Sequence, residues 1–437
     1  MRVLLVAYDF PPVGGIGVQR AVKFARYLPE FGIEPVVLTN AHGRGRVYDP
    51  ELLERNDLQS LPVLRRGGEQ LAAFHAWRED GARFPWSMAP ALAWSTLRYS
   101  EVFGLWYASL REQLDALARE QRIDAVWTTV PHASACFFGL HLQRSQGLPW
   151  VIDVRDAMVN SDRRVIAGVA QLQSWRAPQL ERCFVAAADR IVTVSQPMVD
   201  NMVARTGESG RDKFLVLPNG YDAADLPALP EPPRNDKLTL VYAGSFVGNR
   251  RPDVLVAGIN RAIADGQLDP LALRIDFLGR YPDEAIAQIA RIDLRVERKL
   301  HGFVPQSQAI AATLRADVAL IITVPGNDAL AQEVMTGKVF ECLGLGRPVL
   351  ALTDAAPLRR FVADSGIGDS CGAGDVAAVA RALADLQSRW RQQGHLGVTV
   401  DPALAARYER RAQAGVLADL FRQIQSSAAR RSSRRIS

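Results

Sequence analysis

The chain has 437 residues, of which 48% are hydrophobic and 23% are charged. It is long enough for more than one core, because a single core stops growing at about 250 to 300 residues. The net charge of +5 is modest, no nucleic-acid-binding motif accompanies it, and no apolar stretch approaches the roughly 18 residues of a membrane-spanning helix. The four cysteines lie far apart without CxxC spacing, which argues against a zinc site and a disulfide framework. We therefore predict a soluble two-domain protein of a reducing cytoplasm that does not bind nucleic acid.

Apolar runs alternate with amphipathic helical segments along the first half of the chain. This alternation is typical of parallel sheets covered on both faces, so the predicted fold class is α/β. The first predicted helix runs from about Val18 to Leu28 and should stop at Pro29. The predicted strands of this half are residues 3–8, 34–38, 125–129, 150–154 and 190–194.

The same alternation restarts in the second half, with predicted strands at residues 238–242, 274–278, 318–323 and 348–352. Between the halves lies the proline-rich segment DLPALPEPPRNDK, whose composition indicates a linker. We predict a first domain over 1–215, a junction and linker over 216–236 and a second domain over 237–401. A helix over 402–425 is expected to cross back to the first domain, before a basic disordered tail over 426–437.

Residues 41–120 show broken periodicity and contain half of the tryptophans. Their aromatic rings either pack the first domain or form a surface for a lipid-linked acceptor or a membrane interface. The basic tail has two interpretations as well, a solubilising end or a segment attracted to anionic lipid. The residues concerned are Trp77, Trp86, Trp94 and Trp106, and Arg430, Arg431, Arg434 and Arg435 in the tail.

A glycine-rich loop follows the first predicted strand and opens the first helix. Its glycines, Gly14, Gly15 and Gly17, would present bare backbone N–H groups at a helix N-terminus, an arrangement that suits a phosphate. Arg20 stands where a dinucleotide fingerprint has its third glycine, and the second strand ends without a ribose-binding acid. A nicotinamide cofactor is therefore disfavoured.

Two carboxylates eight residues apart, Glu333 and Glu341, form the strongest pattern in the chain. Thr336 is a candidate N-cap, which would place Lys338 in the first helical turn and Glu341 about one turn further on. A helix N-terminus with a lysine attracts a diphosphate, and carboxylates accept hydrogen bonds from paired sugar hydroxyls. The alternative is an ordinary surface glutamate pair beside a helix.

This Glu-x7-Glu pattern, followed by a short helix, Gly-x-Pro and a strand, resembles the signature of family 4 of the retaining GT-B glycosyltransferases. Other segments resemble that family in the same order along the chain. They are residues 9–20, 217–222 (LPNGYD), 242–244 (YAG), 277–279 (FLG) and 301–305 (HGFVP). The resemblance implies two Rossmann-like domains whose parallel sheets face each other across a cleft.

By resemblance, Glu341 would bind the donor ribose and Glu333 the hydroxyls of the transferred sugar. Gly244 and Ser245 would belong to the donor site, and Phe303 and Val304 would border the nucleobase. Ser245 stands where the family commonly has an arginine. We therefore expect Arg250 or Arg251, together with Lys338, to carry the charge of the leaving group, although either arginine could be an ordinary solvated charge.

His132 follows a predicted strand and begins a helix, where an α/β sheet presents ligand-contacting residues. It is a candidate contact for the transferred sugar, the alternative being a helix cap or a packed side chain. Asp153 and Asp156 form a D-x-x-D pair that could face the acceptor, although Asp156 could equally cap the next helix. The pair is not the D-x-D motif with which metal-dependent transferases hold manganese.

The predicted function is retaining transfer of a hexosyl group from a nucleotide-diphosphate-sugar to a sugar or lipid-linked acceptor in cell-surface polysaccharide or glycolipid biosynthesis. No cofactor or metal is expected. The expected location is the cytoplasm, with peripheral contact at the inner face of the cytoplasmic membrane. Two alternatives stay open: a nucleotide-sugar epimerase of the same fold, and a non-catalytic membrane-associated assembly subunit.

Overall fold

The computed structural model of the chain describes residues 1–41, 48–159, 170–227, 234–246, 249–326, 332–333 and 335–436. The chain divides into two compact units. Unit 1 comprises Met1–Pro218 and Arg410–Ser437, and unit 2 comprises Asn219–Glu409. The predicted linker spans this boundary, and its residues 228–233 lie outside the described residues.

Unit 1 is built on a parallel sheet that, in the described residues, has seven strands in the order β3-β2-β1-β4-β5-β6-β7. The strands are β1 (Arg2–Val6), β2 (Glu34–Thr39), β3 (Val63–Arg65), β4 (Ala125–Val130), β5 (Trp150–Val154), β6 (Arg190–Thr193) and β7 (Phe214–Val216). Alternate residues of β1 face opposite sides, and Leu4 and Leu5 lie in two different core clusters. A sheet buried on both faces explains the continuous apolar character of its strands.

Eight helices connect the described strands of unit 1. They are α1 (Ile16–Tyr27), α2 (Ala72–Asp80), α3 (Ala89–Tyr99), α4 (Gly104–Leu110), α5 (Leu114–Glu120), α6 (Cys136–Gln146), α7 (Ala170–Ala187) and α8 (Gln196–Thr206). After α1 a 3-10 turn over Leu28–Phe31 contains Pro29, and Gly32, with φ of 74°, turns the chain into β2. The predicted end of the first helix at Pro29 is confirmed to within two residues.

Unit 2 has a second parallel sheet, with six described strands in the order β10-β9-β8-β11-β12-β13. The strands are β8 (Leu238–Ala243), β9 (Leu273–Leu278), β10 (Glu297–Gly302), β11 (Val318–Ile322), β12 (Val349–Leu352) and β13 (Gly368–Cys371). Its helices are α9 (Asp253–Ala264), α10 (Asp283–Ile289), α11 (Gln306–Arg315), α12 (Gly337–Leu345), α13 (Ala356–Ser365), α14 (Val376–Gln393) and α15 (Pro402–Ala406).

The last helix, α16 (Arg410–Ile436), belongs to unit 1. Its apolar residues Leu417 and Phe421 join the core cluster that also contains residues of α1 and β1, and the Phe421 ring lies 6.4 Å from that of Trp127. The helix continues through residues for which the sequence predicted a disordered tail. No helix in the described part of the chain is long and apolar enough to span a membrane.

The aromatic segment between β2 and β4 divides into buried and exposed rings, and residues 42–47 of it lie outside the described residues. Trp106 is fully buried in the core, and Trp77 packs against that core. Trp86 and Trp94 are 77% and 48% exposed. Neither interpretation of the segment accounts for all four tryptophans.

Candidate functional site

Glycines stand at the carboxyl ends of β8, β9 and β10 in unit 2, at Gly244, Gly279 and Gly302. The Gly244 N–H donates to Leu278 O at 2.7 Å, and the Gly279 N–H donates to Gly302 O at 2.8 Å. A Cβ on Gly279 would lie 2.1 Å from Gly244 O, and its φ of 151° favours glycine. These strand ends therefore require small residues, which explains the YAG, FLG and HGF segments of the sequence.

Lys338 extends from the first turn of α12 to the space above Gly244. Its Nζ lies 2.0 Å from the position that a Cβ on Gly244 would occupy and 5.5 Å from the ring centroid of Tyr242. Burial of the ammonium, with the nearby charge of Arg250, lowers the pKa of Lys338 to about 8. Within the described residues its ammonium has no hydrogen-bond or ion-pair partner, so it is available to bind an anion directly.

The two candidate arginines have different surroundings. Arg250 Nη1 donates to Ser245 O over 3.5 Å, its Nε is buried without a partner in the described residues, and its charge acts on Lys338. Arg251 instead forms an ion pair with Glu284, with 2.5 Å between Nη1 and Oε2. The structure therefore groups Arg250 with Lys338, whereas Arg251 is engaged at the surface.

The two glutamates of the sequence pattern lie on either side of the start of α12. Thr336 occupies the N-cap position, as predicted, without a capping hydrogen bond from its side chain. Glu341 lies one turn beyond Lys338 and accepts a hydrogen bond from Gln306 Nε2 at 3.0 Å. Glu333 is buried in the preceding turn. Burial of a carboxylate is unusual unless it has partners, so the alternative of two ordinary surface glutamates does not describe this pair.

An exposed aromatic ring follows β10. Phe303 is half exposed, and the guanidinium of Arg280 lies 5.0 Å from its ring centroid. The Arg280 N–H donates to Ser245 Oγ at 3.2 Å, which ties this arginine to the end of β8. Val304 packs against the core of unit 2. Arg280 and Gln306 were not singled out in the sequence, although they directly follow the FLG and HGFVP segments.

In unit 1, His132 lies at the end of β4 between two carboxylates and two aromatic rings. Its Nε2 is 3.3 Å from Asp9 Oδ2 and its Nδ1 is 3.9 Å from Glu101 Oε2. The rings of Tyr8 and Phe103 lie 4.8 Å and 4.1 Å from the imidazole. Burial lowers the pKa of His132, but the hydrogen bonds with Asp9 and Glu101 raise it by more, so its net pKa lies above the usual value.

The glycine-rich loop adopts the expected position before α1. Gly15 is the N-cap residue, with φ of 95°, and a Cβ on Gly17 would meet no atom within 4 Å. Gly14, like Gly15, is partly buried. Within the described residues, space for a ligand is therefore shown at Gly17, in the first turn of α1.

Arg20 and Asp153 form a buried ion pair. Arg20 Nη2 donates to Asp153 Oδ1 at 2.9 Å, and both side chains are about 2% exposed. Arg20 Nη1 donates to Pro218 O, and Thr129 Oγ1 donates to Asp153. The expectation that Asp153 faces an acceptor is therefore wrong, because its carboxylate is occupied inside unit 1.

Two α/β units, each built on a parallel sheet flanked by helices, define the GT-B class of glycosyltransferase folds. Residues 14–220 match the family described as glycosyl transferase 4-like domain. Glycogen synthase of Mycobacterium tuberculosis is 23% identical over 428 residues, which cover 96% of this chain and 91% of that protein. Residues 14–220 therefore form a glycosyl transferase 4-like domain, and the fold of the chain is GT-B.

Two solved structures illustrate the likeness of fold. Sucrose-phosphate synthase from Thermosynechococcus elongatus has a TM-score of 0.64 at 16% identity, covering 98% of this chain and 99% of that one. Anabaena HepE, solved in complex with UDP and glucose, has a TM-score of 0.57 at 16% identity, covering 99% of each chain.

Proposed function

We propose that this chain moves a hexosyl group from a nucleotide-diphosphate-sugar to an acceptor with retention of anomeric configuration, and that it needs no metal or other cofactor. The observation that carries the proposal is the ammonium of Lys338, which lies over the bare backbone of Gly244 without a partner in the described residues. A diphosphate placed at this strand end would meet a cation and a helix N-terminus at once.

The chemistry to be assisted is departure of a nucleoside diphosphate from an anomeric carbon. Positive character develops on the sugar and negative charge grows on the phosphate. Lys338 and Arg250 are assigned to that growing charge, and Arg251 stays an alternative only if it leaves Glu284. Pre-aligned donors of this kind typically contribute about 3 to 4 kcal/mol each to the transition state, which is why we propose that no divalent ion is required.

The remaining donor contacts follow from the ends of the neighbouring strands. Glu341 is assigned to the ribose hydroxyls and Glu333 to the transferred sugar, with Ser245 beside the diphosphate. Phe303, together with Val304, is assigned to the nucleobase, because its exposed ring offers a stacking face next to Arg280. The presence of UDP and glucose in the HepE structure supports a nucleotide-sugar donor.

From unit 1 we assign His132 to the transferred sugar and the backbone N–H groups of Gly14, Gly15 and Gly17 to the diphosphate. An imidazole held between two carboxylates has a fixed orientation, and this suits contact with a sugar hydroxyl. The proposed acceptor is a growing cell-surface polysaccharide or a glycolipid at the inner face of the cytoplasmic membrane.

The test is replacement of Lys338 and Glu341 singly by alanine, with UDP and GDP affinity measured by calorimetry and transfer measured with a radiolabelled donor. A nucleotide at 100 times its dissociation constant should raise the stability of the parent chain by about 2.7 kcal/mol, and both variants should lose affinity and transfer. Unchanged transfer in both variants would exclude this site.

The same assays separate the rival functions. An epimerase would convert or hydrolyse the donor with no acceptor present, and product analysis of the radiolabel would reveal it. A non-catalytic assembly subunit would bind neither nucleotide. Full activity in the presence of EDTA is expected, and loss of transfer that manganese restores would contradict metal independence.

A further inference from the structure

A surface groove of about 580 Å³ lies in unit 1 between α3, α6 and α7. Buried Tyr99 and Phe137 contribute aromatic surface to its lining, and Leu180 contributes aliphatic surface. None of the assigned donor or sugar contacts lines it. The groove is therefore separate from the proposed donor site and has no role in the proposed transfer.

Three arginines line this groove, one from each of the helices: Arg98, Arg144 and Arg176. These arginines contact neutral groups. The guanidinium of Arg98 lies 5.6 Å from the Tyr99 ring, Arg144 Nη2 lies 3.9 Å from Cys183 Sγ, and Arg176 Nη1 donates to Gln179 Oε1 at 3.0 Å.

No carboxylate in the described part of the chain pairs with these arginines. Among the described residues the lining contains no aspartate or glutamate, and its histidine, His141, is 3.4 Å from Asp115. Three positive charges around an apolar groove without acidic partners favour an anionic occupant that also has apolar surface.

Exposed apolar side chains flank the same arginines. Trp94 and Leu97 are 48% and 47% exposed, and they share one face of α3 with Arg98 because the three residues are spaced by three and four positions. Trp175, which is 59% exposed, directly precedes Arg176 on α7, and α7 packs against α3. Tryptophan is enriched where an apolar phase meets water.

We propose that this face, formed by α3 and α7 with the groove between them and α6, docks on a membrane surface containing anionic phospholipid. A lipid phosphate would occupy the groove between the arginines, and the exposed indoles would enter the interfacial layer. The inference rests on the proposed function in one respect, that a glycolipid or lipid-linked acceptor is presented at such a surface.

The basic end of α16 is the competing anchor. Ala428 lies near α6 at Gln143 and Gly147, and the sequence then continues with four arginines among its last eight residues. The experiment must therefore separate the groove from the tail. Removal of residues 428–437 provides that comparison, since none of the described residues among them lines the groove.

The test is co-sedimentation of the full chain with vesicles of phosphatidylcholine alone or with added phosphatidylglycerol. The groove variant is Arg98→Gln with Arg144→Gln and Arg176→Gln, and the indole variant is Trp94→Ser with Trp175→Ser. A matched control makes the same charge change in unit 2. It consists of Arg359→Gln, Arg360→Gln and Arg381→Gln, all at exposed positions.

We expect binding to the anionic vesicles that weakens with salt. Each groove arginine should contribute about fivefold to the affinity for anionic vesicles. The triple variant should therefore bind these vesicles about 100-fold more weakly, while the control variant binds them as the parent chain does. The indole variant should also bind these vesicles more weakly than the parent chain does. UDP should raise the melting temperature of the parent chain and of every variant by the same amount. Equal shifts would show that each variant is folded and that the docking surface is separate from the donor site.

Parent-like vesicle binding by the triple groove variant overturns the proposal, as does failure of the parent chain to bind anionic vesicles. Loss of binding only on removal of residues 428–437 assigns docking to the tail and overturns the groove as well. Vesicle binding without any UDP binding would instead leave the docking surface standing and reject the proposed transfer.

Discussion

The substitution Gly244→Ala should disable the candidate donor site without a change at any charged residue. The added Cβ would lie 2.0 Å from Lys338 Nζ, and 3.3 Å from the nearest atoms of Tyr242. Since carbon atoms of this kind are not found within 3.0 Å of another heavy atom, the ammonium must move by at least about 1 Å. The lysine end is flexible, so we expect the fold to accept the change.

A misplacement of about 1 Å at a site of this type can cost about 100-fold in rate. We therefore expect Gly244→Ala to lower transfer by about that factor and to weaken UDP binding in calorimetry. Gly374→Ala is the matched control, because a Cβ on Gly374 meets nothing within 4 Å and its φ is ordinary. This control should behave as the parent chain does.

A double-mutant cycle makes the reasoning refutable. If Gly244→Ala acts through the ammonium, then adding it to Lys338→Ala should cause little further loss, because the group that it displaces is already absent. Full additivity of the two substitutions would refute the argument, and so would parent-like UDP affinity in Gly244→Ala alone.

Three further outcomes follow from charges in the two units. The pKa of Lys338 lies near 8, so its ammonium loses a proton as pH rises through 8. Above that pH the affinity for UDP should fall by up to about tenfold per pH unit. Lys338→Met should remove this part of the pH dependence. Asp153→Ala leaves Arg20 buried without its carboxylate and should lower the free energy of unfolding by about 3 to 5 kcal/mol in urea; a loss below about 1 kcal/mol would contradict the role of the pair. Glu101→Gln removes one of two carboxylates that raise the pKa of His132, so the NMR titration midpoint of His132 should fall, and an unchanged midpoint would show that Asp9 suffices.

The strands that the sequence predicted are the inner strands of each sheet, most of which are buried on both faces. All residues of β4, β5, β11 and β12 are buried. Their continuous apolar runs therefore predict strands from the sequence alone. The four missed strands are β3, β7, β10 and β13, which form the two edges of each sheet. Edge strands are short or polar, and β10, with the sequence ERKLHG, has no buried residue at all.

The site was predictable where residues close in sequence stay close in space. Thr336, Lys338 and Glu341 belong to one helix start, so spacing alone placed them. Contacts between distant segments were not predictable: Glu101 reaches His132 from a stretch without clear periodicity, and the partnership of Arg20 with Asp153 joins residues 133 positions apart. The sequence around Glu101 or Arg20 has no local pattern that would show whether its charge has a partner in the fold or is solvated.

The return of α16 to unit 1 makes that unit discontinuous in the sequence. During synthesis on the ribosome, residues 219–409 emerge complete before the helix that closes the apolar face beside α1 has been made. Unit 2 can therefore finish folding first, although it is encoded second. A nascent chain that stops before Arg410 leaves Trp127, Leu28 and their neighbours uncovered, so loss of only the last 28 residues exposes apolar surface of unit 1 to chaperones and proteases.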